Sequence, residues 1–116
     1  MQYDLEERTA LFAEKTIFLL KTLPNNSINK RLIEQLVASS GSVGANYCEA
    51  NEAESRRDFI HKLRISKKEI KESKHWIRLL TKANEKQKDK FEILWRGAHE
   101  LLLIFAKIIS STLKSS

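Results

Sequence analysis

Seven positions between residues 59 and 80 recur at alternating steps of four and three: Phe59, Leu63, Ser66, Ile70, Ser73, Ile77 and Leu80. On an α-helix that spacing draws one stripe down one side. A β-strand cannot use it, because a strand turns its side chains over every two residues. The segment therefore reads as a helix with a single buried seam, and any fold must supply a partner for that seam.

Three other segments repeat the pattern, and no strand-like alternation competes with it. Over residues 4–23 the seam is Leu5, Thr9, Phe12, Thr16, Leu19 and Leu23, widened by Ala13, Ile17 and Leu20. Pro24, Asn25, Asn26 and Ser27 then stop the helix, since proline disfavours helix in the residue before it and Asn/Ser clusters suit turns. Over residues 28–50 the apolar side is Ile33, Leu36, Ser40, Val43, Tyr47 and Ala50. Its middle, residues 38–45, is rich in Ser and Gly and has poor helix propensity. A loop competes there. The period nevertheless runs through, and small residues let helices approach closely, so the spacing predicts a continuous helix.

The third helix is expected over 55–83. Ser55 followed by Asp58 is close to a capping box, and Asn84 suits a left-handed C-cap. The fourth is expected over 88–113, with Phe91, Leu94, Ala98, Leu101, Phe105 and Ile108 as its seam and Trp95, Leu102 and Ile109 broadening it. Four long amphipathic helices with short connections predict an all-α, antiparallel up-down-up-down four-helix bundle, about 30–40 Å long. It would be one domain over residues 1–116, fraying at Ser110, Ser111, Ser115 and Ser116.

The 116 residues carry 21 Lys and Arg against 15 Asp and Glu, a net charge of +6. Residues 55–90 hold thirteen basic and five acidic residues, net +8, and the rest of the chain is net −2. The basic excess belongs to one segment. Cys48 is the single cysteine, so no intramolecular disulfide is possible and an oxidising compartment is not implied. The N-terminus is acidic and lacks the apolar run of a signal peptide. The longest apolar stretch, residues 101–109, is interrupted by Lys107 and too short to span a bilayer. A cytoplasmic protein is the expectation.

Within the basic segment a second stripe runs at the same spacing: Arg57, His61, Arg64, Lys68, Lys71, His75, Arg78 and Lys82. Eight positions without an acidic residue offer a row of positive charge to a polyanion. The competing reading is a solvated face, partly neutralised by Glu52, Glu54, Asp58 and Glu72. A third row on the same helix is Ile65, Glu69, Glu72, Trp76 and Leu79. It either widens the core or covers a neighbouring subunit. Helix 2 carries a polar row of Gln35, Ser39, Ser42, Asn46 and Glu49, which suggests a hydrogen-bonded contact between helices, within one chain or between two.

Little points to a reaction. A di-iron bundle needs two Glu-x-x-His pairs with further glutamates, and only Glu72 with His75 has that spacing. His75 lies among cations, as does His61, and His99 lacks an acidic residue three before it, so no metal site and no cofactor are expected. Cys48 lacks a nucleophile signature, and burial as a small hydrophobe is the simpler reading. The serines at 39–42 form no nucleophile elbow, and Gly41 and Gly44 precede no Gly-Lys-Ser/Thr, so no phosphate loop is present. No catalytic residue is assigned.

The stripe lacks interleaved aromatics, with Trp76 assigned to another face, so binding of RNA or DNA would be phosphate-directed and weakly sequence-selective. A lipid surface is the other anionic partner, but the large apolar residues are needed for the core, which disfavours membrane binding.

Residues 42–50, then Ala53, Glu54 and Ser55, then residues 58–63, Lys68, Glu69, Glu72 and residues 76–80 together resemble the bacterial four-helix-bundle proteins encoded in 23S rRNA intervening sequences. The resemblance is strongest over 35–80. It implies an up-down bundle that assembles as a homopentamer with a basic surface. The family is also similar to the accessory proteins of diversity-generating retroelements, which are pentameric and bind nucleic acid. Asn46, Glu49, Glu69 and Glu72 match the family's polar positions, which implies a structural or interface role for Ser42, Asn46, Glu49, Glu69, Glu72, Trp76 and Leu79. The run Cys48, Glu49, Ala50, Asn51 departs from the Ala before and Gly after the Glu that many members have, and this bears on the helix 2–3 turn.

The expectation is therefore a non-enzymatic homo-oligomer that binds RNA or DNA through the third helix, with no small-molecule substrate. Arg57, Arg64, Lys68, Lys71, Arg78 and Lys82 would contact phosphates, and His61 and His75 would add charge on acidification. The alternatives are a protein-interaction scaffold that binds no nucleic acid, and an enzyme with a site between subunits.

Overall fold

The computed structural model describes residues 4–115. It contains α1 (Leu5–Leu20), α2 (Ser27–Asn51), α3 (Arg56–Ala83) and α4 (Lys88–Lys114), with a 3-10 turn at Glu85–Gln87 before α4. Three N-termini are closed as their sequences require. Asp4, Asn26 and Ser55 accept from the backbone N–H groups of Glu7, Asn29 and Asp58 at 3.2, 2.8 and 3.0 Å. Helix α2 runs unbroken through residues 38–45. Residues 1–3 and Ser116, which fall within the expected single domain and its fraying end, lie outside the described residues.

Contacts between α2 and α3 fix their direction. Asn29 meets Asn84, Ser39 meets Ser73, Val43 meets Ser66 and Glu49 meets Lys62, so one number falls as the other rises. The two helices are antiparallel. The pairs Arg56 with Thr112 and Lys74 with His99 do the same for α3 and α4. Helix α1 packs on α2 and α4 but not on α3, so the four helices close a square in chain order.

The core follows the expected seams. Leu63, Ile70, Ile77, Leu80, Phe91 and Phe105 are fully buried, with Leu36, Val43, Ala98 and Leu101 between them. Each large side chain contributes about 1.5–3 kcal/mol by leaving water. The polar members of the seams are satisfied. Thr9 and Thr16 donate back to Leu5 and Phe12 carbonyls at 2.7 and 2.8 Å. Ser66 donates to the Val43 carbonyl at 2.9 Å. Ser73 donates to Ser39 at 2.9 Å. Small residues do bring helices close: a Cβ added at Gly44 would stand 3.0 Å from Thr9 Oγ1.

Several expectations need correction. The molecule measures 50 × 21 × 20 Å, longer than 30–40 Å, because α3 and α4 alone span about 40 Å at 1.5 Å per residue and the turns add to this. Asn84 is not left-handed; its φ is −136° and its side chain is drawn into the interior by Asn29. Helix α1 stops at Leu20, short of Leu23. Helix α4 carries Ser110 and Ser111 as regular helix. Cys48 is exposed. In the third-helix seam the buried residue is Ile60, with Phe59 half-buried. Ile17, placed in the α1 stripe, is 45% exposed.

Candidate nucleic-acid interface

Helix α3 presents all eight basic-stripe residues to solvent: Arg57, His61, Arg64, Lys68, Lys71, His75, Arg78 and Lys82. The reason is local. The seam of Leu63, Ser66, Ile70, Ser73 and Ile77 binds one side of the helix to α2 and α4, so the stripe residues, one or two positions after each seam position, face outward. From Arg57 to Lys82 the row is about 38 Å long at helical rise. Among the described residues Lys82 is the stripe member with a salt bridge, to Glu85 at 3.5 Å. Glu52, Glu54, Asp58 and Glu72 make no salt bridge to the stripe within that set.

Two shallow hollows lie along the row. One is bordered by Arg56, Arg57, His61 and Arg64 near the α4 end. The other is bordered by Arg64, Lys67, Lys68, Lys71, His75 and Trp76, with the single carboxylate of Glu72 among them. Trp76 was expected on another face. It is half-buried against the core and also edges this basic hollow, its ring 5.0 Å from that of His75 at 66°. On the α4 side Lys74 donates to His99 Nδ1 at 2.9 Å and sits 4.3 Å over the Trp95 ring, which stacks on His99. The ammonium can only donate, so a neutral His99 carries its proton on Nε2.

The remaining polar positions divide. Ser39 is buried between helices, and Asn46 donates to the Ser42 carbonyl in its own helix at 2.9 Å. Glu49 pairs with Lys62 at 3.0 Å, which holds the Lys62 ammonium above the usual lysine range. Gln35 is exposed. Glu69 is half-buried; burial first, then the neighbouring Glu72 carboxylate, pushes its carboxyl up, against Lys68. Leu79 lies at the surface. No group of three His, Cys, Asp or Glu that could hold a metal occurs among the described residues, nor does a helix long and apolar enough to cross a membrane.

One surface does not follow from the helical periodicity. Phe18 and Ile93 are 77% and 70% exposed, beside an apolar groove between α1 and α4. Read alone, each could pass as an ordinary member of a wide apolar stripe.

The described residues thus form a bundle of four long helices with one cationic face on α3. The family comparison is specific: residues 2–107 match the 23S rRNA-intervening sequence protein model, and the chain belongs to that family. It is also similar to a solved structure, a protein with unknown function from the S23 ribosomal protein family of Bacteroides thetaiotaomicron VPI-5482, at 30% identity and a TM-score of 0.78, covering 90% of this chain and 96% of that one. No curated protein matches the chain closely enough to count.

Proposed function

We propose that the chain is a non-enzymatic, homo-oligomeric bundle, pentameric as the family resemblance implies, that binds RNA or DNA by its phosphates. The observation that carries this reading is the uninterrupted exposure of eight basic-stripe residues along one face of a 28-residue helix. A row of cations held by a rigid helix displaces counterions from a polyanion along its whole length. Several copies in one assembly multiply the row and raise avidity without new contacts. Contacts of this kind position a backbone and read little sequence. The family description links its members to 23S rRNA intervening sequences, which agrees with a nucleic-acid partner. The reading places the protein in the cytoplasm and needs no metal, cofactor or small-molecule substrate.

A scaffold that docks an acidic protein is the competing reading, favoured by the surface position of Leu79, one helical turn from Trp76 on α3. Binding of labelled single-stranded RNA, duplex RNA and duplex DNA to the wild type and to Lys68→Glu/Lys71→Glu separates the two. Micromolar or tighter binding that the variant loses supports the phosphate track. Failure to bind all three at low salt leaves the scaffold.

A further inference from the structure

The basic row on α3 has an aromatic neighbour on α4. Trp95, expected to broaden the α4 seam, is 37% exposed. Its indole stacks on the His99 ring at 5.3 Å and 9°, and the Lys74 ammonium stands 4.3 Å over it. Lys74 also donates to His99 Nδ1 at 2.9 Å. A donor to a ring nitrogen lies close to the plane of that ring, so the ammonium and the imidazole form one layer on the same face of the indole. Among the described residues no other ring or cation stacks on Trp95. Glu92, about one turn before it, is held by Arg96 at 2.7 Å.

Helix α3 brings its cations to this ring. Lys74 marks the side of α3 that meets α4. Lys71 lies three before it and Arg78 four after it, so both stripe residues share that side. The two helices are antiparallel with Lys74 opposite His99. Arg78 therefore stands level with Trp95, and Lys71 about one turn beyond His99. Lys71 and Arg78 are exposed, about 10 Å apart along the axis, and neither makes a salt bridge among the described residues. An ammonium has three donors, and His99 takes one of those on Lys74.

We propose that this α3/α4 edge is a binding site for single-stranded nucleic acid. The strand's backbone follows Lys71, Lys74 and Arg78, and one base stacks on the indole of Trp95. The site rests on the phosphate-directed reading above and narrows its ligand to unpaired strands. A single strand offers phosphates together with bases free to stack on a protein ring. A duplex keeps its bases stacked inside and offers the cations its phosphates alone. Lys74 and His99 hold the indole from one side, so the ring is ordered before the strand arrives, which lowers the cost of binding. Every base has a π-face, so the stack adds affinity without selecting sequence.

Fluorescence anisotropy tests this with three labelled probes: a single-stranded oligonucleotide, the same strand annealed to its complement, and a matched strand of abasic sugar-phosphate. The wild type is expected to bind the intact single strand at least about fivefold tighter than the abasic strand. That comparison needs no variant to fold. Trp95→Ala is expected to lose the margin and to keep its duplex affinity and salt slope, since no phosphate contact is removed. Trp95→Phe is expected to recover most of the margin. Equal binding of intact and abasic strands by the wild type, or an equal fall in single-strand and duplex affinity in Trp95→Ala, overturns the stacking site and leaves the phosphate track in place. A changed oligomeric mass of Trp95→Ala in light scattering also overturns it, by assigning the ring to a joint between copies. Failure of the wild type to bind any of the three probes overturns both the site and the track.

Discussion

Asn29 and Asn84 exchange two amide hydrogen bonds, of 2.9 and 2.8 Å, across 55 residues of chain. Both side chains are buried, and each also donates to a backbone carbonyl, of Pro24 and Leu80 respectively. The pair thereby ties the α1–α2 turn to the end of α3. Removing one partner strands the other, at about 1–3 kcal/mol. Asn84→Ala and Asn29→Ala are each expected to lower unfolding free energy by that amount in urea titrations. The double variant is expected to lose clearly less than the two losses combined.

Gly44 and Gly41 sit one turn apart on α2 and should respond oppositely to added bulk. A Cβ at Gly44 meets Thr9 of α1, whereas a Cβ at Gly41 meets nothing within 4 Å. Gly41→Ala is expected to stabilise by about 0.5–1 kcal/mol through helix propensity alone. Gly44→Leu is expected to destabilise by about 1–3 kcal/mol, because α1 must move away. Thermal unfolding followed by circular dichroism reads both.

Glu69 carries a carboxyl pushed above its ordinary value by burial and by Glu72. A raised folded value means its contribution is complete below the unfolded value and is lost as pH rises through the folded one. Ionised Glu69 therefore costs stability at neutral pH. Glu69→Gln is expected to stabilise by less than about 1 kcal/mol at pH 7. The gain should vanish in acid, below the range where glutamates ionise, as urea midpoints at the two pH values would report.

Much of this architecture was legible in the residues. The seam of α3 could be read because every core position falls on one 4-3 track, and Ser66 and Ser73 did not break it: both are small enough to bury and find partners on α2. The stripe was legible for the same reason. Asn84 was misread because a helix-ending Asn fits a left-handed cap locally, while its actual partner lies 55 residues away. Phe18 and Ile93 were missed because an apolar residue on a helix does not reveal whether another helix covers it. Trp76 was assigned away from the cations because its helical position says nothing of the hollow it shares with Lys68 and Lys71.

The central claim is that α3 is a phosphate track, and the salt dependence of binding tests it most directly. Fluorescence anisotropy with labelled single-stranded RNA across a salt series gives the slope of log affinity against log salt. Each lost phosphate contact removes about 0.7 from that slope on a single strand. Lys68→Glu/Lys71→Glu, with its oligomeric state matched to wild type, is expected to bind more weakly with a slope shallower by at least about 1.4. An unchanged slope and affinity in that variant, or no binding by the wild type at low salt, would contradict the account.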